Sequence, residues 1–318
     1  MHCFKKGGYL YIMTTKRRNA DGAIETGGEK FLHIIMHIIL ILLSVCCLYP
    51  FLVILGSSFQ SQEEIVAIGY KMIPQAPTLN AYKMLLANTS RLVNAYKMTI
   101  VTTFFGTVIG LWLVSTCGYV MSRKDYAYKR ALAFYVFFTM LFNGGLVPTY
   151  ILISKWLDLK DSALALIIPG LCSAWNILLM KGFFVGIPTS LIESAKLDGA
   201  GEFRVFTSIV MPISKPAFAT VGLMLMLNYW NEWYYSMLYI DSSEKVKLQY
   251  LLMTIMKNIE YLNSPEAMNA NIAVGDVSMP TLSARMAMCV IAAGPILIIF
   301  PFFQKYFVRG MTVGAVKG

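Results

Sequence analysis

The stretch MTIVTTFFGTVIGLWLVSTCGYVMS, residues 98–122, holds no Asp, Glu, Lys or Arg. It exceeds the ~18 residues that mark a membrane-spanning helix, and at ~1.5 Å per residue it covers a ~30 Å hydrocarbon core. Lipid offers the backbone no hydrogen-bond partner, so such a run must close its bonds internally as a helix. Working outward, comparable charge-free runs extend from Phe31 to Gln62, Ala131 to Ser154, Ser162 to Met180 and Met286 to Gln304, and a sixth from Pro216 to Ile240 is broken only by Glu232. The expected architecture is an all-α integral membrane protein with six transmembrane helices, over about residues 31–55, 98–122, 131–154, 162–181, 216–240 and 286–307. A 1–30 arm precedes this 31–307 domain and a 308–318 tail follows it. The apolar stretch from Gly182 to Ile192 is too short to cross.

Composition agrees with that reading. Of 318 residues, 57% are hydrophobic and only 14% charged, with mean hydropathy +0.60, whereas soluble chains carry roughly a quarter charged residues. A disordered, secreted disulfide-rich or ordinary cytosolic protein is therefore excluded. Six spans place both termini on one side, which carries 17 Lys and Arg against 10 on the other; the positive-inside rule makes that side the cytoplasm. The net charge of +10 is explained by this inner face, and a nucleic-acid partner is not expected. Cys46, Cys47, Cys117, Cys172 and Cys289 fall inside expected spans, in no disulfide or zinc pattern. His33 and His37 at i, i+4 have no third ligand in view, and no metal is expected.

Between the fourth and fifth spans, residues 187–216 read IPTSLIESAKLDGAGEFRVFTSIVMPISKP. Ser190 and Glu193 have capping-box spacing, predicting a helix from Leu191. Gly199 is placed as its left-handed stop after Asp198, and Pro212 as the end of a second helix. Two short helices presenting Leu191, Ile192, Ala195 and Leu197 among charges suit either a docking device or an amphipathic connector on the membrane surface.

In this loop Glu193, Ser194, Ala195, then Gly199, then Ile209 and Pro212 stand at the spacing of the EAA motif, E-A-A, three residues, G, nine residues, I-x-L-P. The segment thus resembles the permease subunits of binding-protein-dependent ABC importers, with Ser194 in place of alanine and Met211 in place of leucine. Thr78 to Tyr82, Gly118 to Arg123, Gly145 to Tyr150 and the closing Gly310 to Gly318 are similar to the maltose-type, oligosaccharide and polysaccharide branch. The resemblance implies a multi-pass protein of the bacterial cytoplasmic membrane that is not itself an enzyme. Residues 186–216 would then be its coupling loop, with Glu193, Ser194, Ala195, Asp198, Gly199, Ile209 and Pro212 meeting a separate ATPase. Implied partners are a second homologous permease, a cytoplasmic ABC ATPase dimer, an extracellular solute-binding protein and the bilayer. No G-x-x-x-x-G-K-[ST] occurs, so the chain is expected to bind no cofactor and the ATP to be used by a partner.

A sugar path requires polar groups and aromatic faces inside the bundle. Asn228, Trp230, Asn231 and Glu232 near the end of the fifth span are the principal candidates, with Asn143 in the third span and Trp175 and Asn176 in the fourth. A carboxylate near the bilayer centre costs ~2.5–3.5 kcal/mol and normally faces a cavity or partner; the alternative is an aromatic belt in which Glu232 reaches the headgroups. Other functions compatible with six spans are an ABC permease for a non-sugar solute and a secondary transporter. A membrane enzyme would require a catalytic cluster that the sequence lacks.

Overall fold

The computed structural model describes residues 27–87, 89–262 and 281–315. Most of the expected arm, residues 263–280 and the last three residues lie outside them. The chain forms two units, divided between Val53 and Ile54. The first holds most of α1 (Gly27–Ser57), which carries Pro50; it begins four residues before the expected span. Its apolar character all round is that of a helix surrounded by lipid.

The second unit is also helical, with no strand among the described residues. Its long helices are α4 (Thr89–Ser122) and α15 (Thr281–Ala315). Helix α4 starts well before the charge-free run, because its first turns, with Arg91 and Lys97, continue the helix past the apolar stretch. Helix α15 continues through most of the expected tail. Three helices are long and apolar enough to cross a membrane, and three bent pairs bring the number to as many as six.

The bent pairs correct the expectation of unbroken spans. The third span breaks between α5 (Lys129–Leu141) and α6 (Leu146–Ile151), whose line is continued by a π turn to Trp156, and the bend is 109°. Gly145 sits at φ 84°, a conformation that disfavours a side chain, and its N–H donates to Asn143 Oδ1 at 2.9 Å. The fourth span bends 49° between α7 (Ala163–Ile167), extended as a 3₁₀ turn through Pro169 and Gly170, and α8 (Ala174–Val185). Pro169 has no N–H to give, which suits it to that tight turn. The third bent pair joins Glu202–Ile213 to α12 (Lys215–Asn231) at 87°, and α12 stops short of the expected fifth span, where Glu232 turns extended at ψ 117° before the chain resumes as α13 (Tyr234–Tyr239).

Neither long connection between spans is featureless. Residues 57–96, between the first two expected spans, contain α2 (Gln62–Ile68), α3 (Asn80–Leu86) and the start of α4. Ser61 caps α2 by accepting from the Glu64 N–H at 3.1 Å. In the second loop α14 (Leu248–Leu262) packs on α4 and α15. Its first N–H, of Leu248, donates to Thr99 Oγ1 of α4 at 2.8 Å.

Helix α4 is the axis of this unit, packing on α8 along one side and α12 along another. It carries a core at each end. One joins Leu92, Ala95, Trp230, Leu248, Leu251, Ala287 and Met288. The other joins Val114, Tyr119, Met180, Phe184, Ile192, Ala195, Phe206 and Val210. Between them α4 and α12 come close at Gly106, where a Cβ would stand 2.5 Å from the Tyr229 ring.

Candidate functional site

Two sites stand at opposite ends of α4. At the C-terminal end of α4, α9 (Thr189–Leu197) is followed by a second helical limb. That limb comprises α10 (Glu202–Val205), a π turn over Phe206–Val210 and α11 (Met211–Ile213). The expected capping box does not form. Pro188 precedes the first helical residue, so Ser190 is already inside the helix, and Ser194 Oγ donates back to the Ser190 carbonyl at 2.9 Å.

The stop at Gly199 forms as expected. Gly199 lies at φ 80°, its N–H donates to Lys196 O at 3.0 Å, and the Ala200 N–H donates to Ala195 O at 2.9 Å, the paired bonds of a Schellman ending. Pro212 precedes the end of the second limb at Ile213, after which the chain turns 87° into α12. The proline's missing N–H also accounts for the wide turn before it.

The apolar residues of α9 divide between two faces. Ile192 and Ala195 are buried in the chain's own core at this end of α4, whereas Leu197 is 89% exposed and Leu191 is also exposed. Burying a side chain such as Ile192 contributes ~1.5–3 kcal/mol, enough to seat α9 on the body. Ala195 thus packs on this chain's own core, on the face of α9 away from Leu197. Glu193, Ser194, Asp198 and Gly199 are exposed, as are Phe203 at 70% and Pro212, while Ile209 packs on the core.

The loop after α4 adds charges that the sequence reading left unassigned. Arg123 lies 2.6 Å from Asp125 and 3.7 Å from Glu202, and Lys196 lies 3.0 Å from Asp125 and 2.5 Å from Glu202. The Tyr119 hydroxyl donates to Glu202 at 2.8 Å. Hydrogen bonds from Arg123 and then Lys196 hold the Asp125 carboxyl down at about 2. A depressed carboxylate contributes its stability above the ordinary range and loses it only as pH falls toward that value, so these charges persist through neutral pH.

At the other end, the break after α12 opens two cavities of about 360 and 300 Å³. Asn228, Glu232 and Tyr234 line both; Tyr229, Tyr235 and Ser173 line the larger, and Asn231 and Trp233 the smaller. Glu232 Oε1 accepts from the Tyr235 N–H at 2.5 Å, tying it to the start of α13. Its Oε2 is buried without a hydrogen bond, 3.8 Å from the ammonium of Lys247. Lys247 is wholly buried and donates to the Tyr229 carbonyl, one of the groups in the last turn of α12.

The candidate path residues thus separate. Asn228, Asn231 and Glu232 come together. Trp230 instead turns away, buried in the outer core with its indole N–H donating to Ala292 O at 3.1 Å. Asn143 is exposed and caps the break in the third span, Trp175 is exposed, and Asn176 is buried with an unpaired Nδ2; none of the three lines either cavity. Sequence reasoning missed Tyr229 and Lys247. The available signal for Tyr229 was two glycines, Gly106 in α4 and Gly170 in the turn after α7, which both leave room for its ring.

Residues 106–313 match the family of binding-protein-dependent transport system inner membrane components. This is more than half of the chain, and the protein belongs to that family: it is an integral membrane component of a transport system. Among its relatives, the polygalacturonan/rhamnogalacturonan transport system permease protein YtcP of Bacillus subtilis (strain 168) is 36% identical, the alignment covering 88% of this chain and 96% of the relative. The arabinooligosaccharides transport system permease protein AraQ of the same organism is 28% identical over 87% of this chain and 93% of the relative. A chain in the crystal structure of a bacterial ABC transporter involved in import of the acidic polysaccharide alginate superposes with TM-score 0.72 at 29% identity. It covers 90% of this chain and 99% of that one, so the fold is that of an ABC permease.

Proposed function

We propose that this chain and a second, related permease form the translocation path of an ATP-driven importer for oligosaccharides handed over by an extracellular binding protein. Both termini would lie in the cytoplasm, and α9 with Gly199 would seat in a separate ATPase dimer that alone uses ATP. The observation that carries this reading is the break at Glu232, where α12 opens cavities lined by two asparagines, a carboxylate and tyrosines. Amide and carboxylate groups match sugar hydroxyls and aromatic rings offer stacking faces, a lining suited to a polyol. The relatives are named for polygalacturonan/rhamnogalacturonan, arabinooligosaccharides and alginate, which supports a carbohydrate over other solutes.

The test is uptake by the reconstituted importer with saturating binding protein, comparing neutral and uronate-containing oligosaccharides of several lengths. Asn228 is exposed and lines both cavities, so Asn228→Leu is expected to lower uptake several-fold or change the length preference while leaving assembly intact. Unchanged uptake of every sugar would remove the cavities from the path. For coupling, Gly199→Pro forbids the positive φ and removes the bond to Lys196 O. It is expected to lower uptake about tenfold while the spans still insert; normal uptake with normal ATPase co-purification would sink the assignment.

A further inference from the structure

Arg123, Asp125, Lys196 and Glu202 form a closed ring in which each charge has an opposite charge on either side. Its members come from the inner end of α4, the following loop, α9 and the start of α10. One further group locks it, because the Tyr119 hydroxyl of α4 holds Glu202 while the Arg123 guanidinium lies over the Tyr119 ring, 5.8 Å from its centroid. Arg123 is 13% exposed and is shielded from salt better than the other three. A lone exposed pair holds two side chains weakly. In the ring no residue can leave without breaking two contacts, and the partners support one another.

We propose that this ring fastens α9 to α4 so that the two move as one body, making Arg123, Asp125, Lys196 and Glu202 positioning residues for coupling. The inference rests on the coupling role proposed for α9. Ile192 and Ala195 seat one face of α9 by apolar packing, which resists separation but carries little directional constraint. The ring supplies the direction: salt bridges at two points of α9 and α10 fix how they sit against α4. A displacement applied to the exposed face of α9, at Leu197 and Glu193, then reaches α4. Roughly 20 Å along the same helix, α4 meets Tyr229 at Gly106, beside the cavities at Glu232.

The test uses the complete importer in proteoliposomes and reads sugar transported per ATP hydrolysed, together with ATPase co-purification. Glu202→Gln keeps the volume and a hydrogen-bond acceptor for Tyr119 but removes the charge. It is expected to lower the transport-to-hydrolysis ratio at least threefold with the ATPase still bound, and Arg123→Gln to do the same. The deciding arm is Asp125→Cys with Lys196→Cys in a background whose native cysteines are replaced by alanine. Unlinked, the pair should show the same uncoupling; joined by a short bis-thiosulfonate, it should recover at least half of the background ratio. A ratio unchanged in both glutamine variants, or a linked pair that stops transport, overturns the ring's role, because in either case α9 and α4 move apart or move together without it. If instead the unmodified importer shows no binding-protein-stimulated hydrolysis, the importer reading itself fails.

Discussion

Lys247→Met is expected to strip the region around Glu232 of about 3–5 kcal/mol, the cost of leaving one member of a buried ion pair without its partner. The ammonium is wholly enclosed and is held by the Tyr229 carbonyl. Glu232 Oε2, already without a hydrogen bond, would lose the positive charge 3.8 Å away, and the Tyr229 carbonyl would lose its donor. The measurement is the melting temperature of the detergent-solubilised complex, or the fraction that remains monodisperse on heating. Lys247→Met with Glu232→Gln removes both charges at similar volume and is expected to recover most of the loss. If the single variant melts like the native protein, Lys247 and Glu232 are not a pair. The same geometry means that Glu232→Gln alone is a poor probe of the sugar path, since it strands Lys247; Asn228 is the cleaner one.

Gly106→Val is expected to prevent correct packing of α4 on α12. Even the first carbon of the new side chain would lie 2.5–2.7 Å from three atoms of the Tyr229 ring. The ring is held where it is: its hydroxyl donates to Ile167 O at 2.7 Å and lies against Gly170, where a Cβ would stand 2.8 Å from it. Overpacking a filled interior costs about 1–3 kcal/mol and sometimes more; valine's two methyls put this site at or above the top of that range. Gly106→Ala should cost less, and Tyr229→Leu combined with Gly106→Val should restore part of the folded yield by vacating the ring's space. Yield after size-exclusion in mild detergent reads all three, and equal yields for Gly106→Val and the native chain would mean that the helices do not approach here.

Much of the inner site was legible beforehand because its signals are local. A glycine that must take a positive φ follows the last helical turn, and a proline ends the next limb; both act through the backbone within a few residues. The capping box failed for an equally local reason, since Pro188 moved the helix start one residue ahead of Ser190. The charge ring was not legible. Lys196 and Asp125 are far apart in the chain, and nothing in either segment alone distinguishes a paired charge from a solvated one.

Hydropathy alone determined that the chain is helical and membrane-embedded, with up to six spans, because burial in lipid depends on composition summed along a run and not on direction. It also marked Glu232 as a residue whose charge required an explanation. Only the tertiary structure decided where the spans break, that Trp230 turns to α15 while Asn228 and Asn231 face cavities, and that Lys247 is the partner of Glu232. The reason is physical. A bend at Gly145 or Glu232 leaves the hydrophobic sum almost unchanged, and the direction a side chain faces on a helix that is apolar all round is set by neighbours distant in sequence.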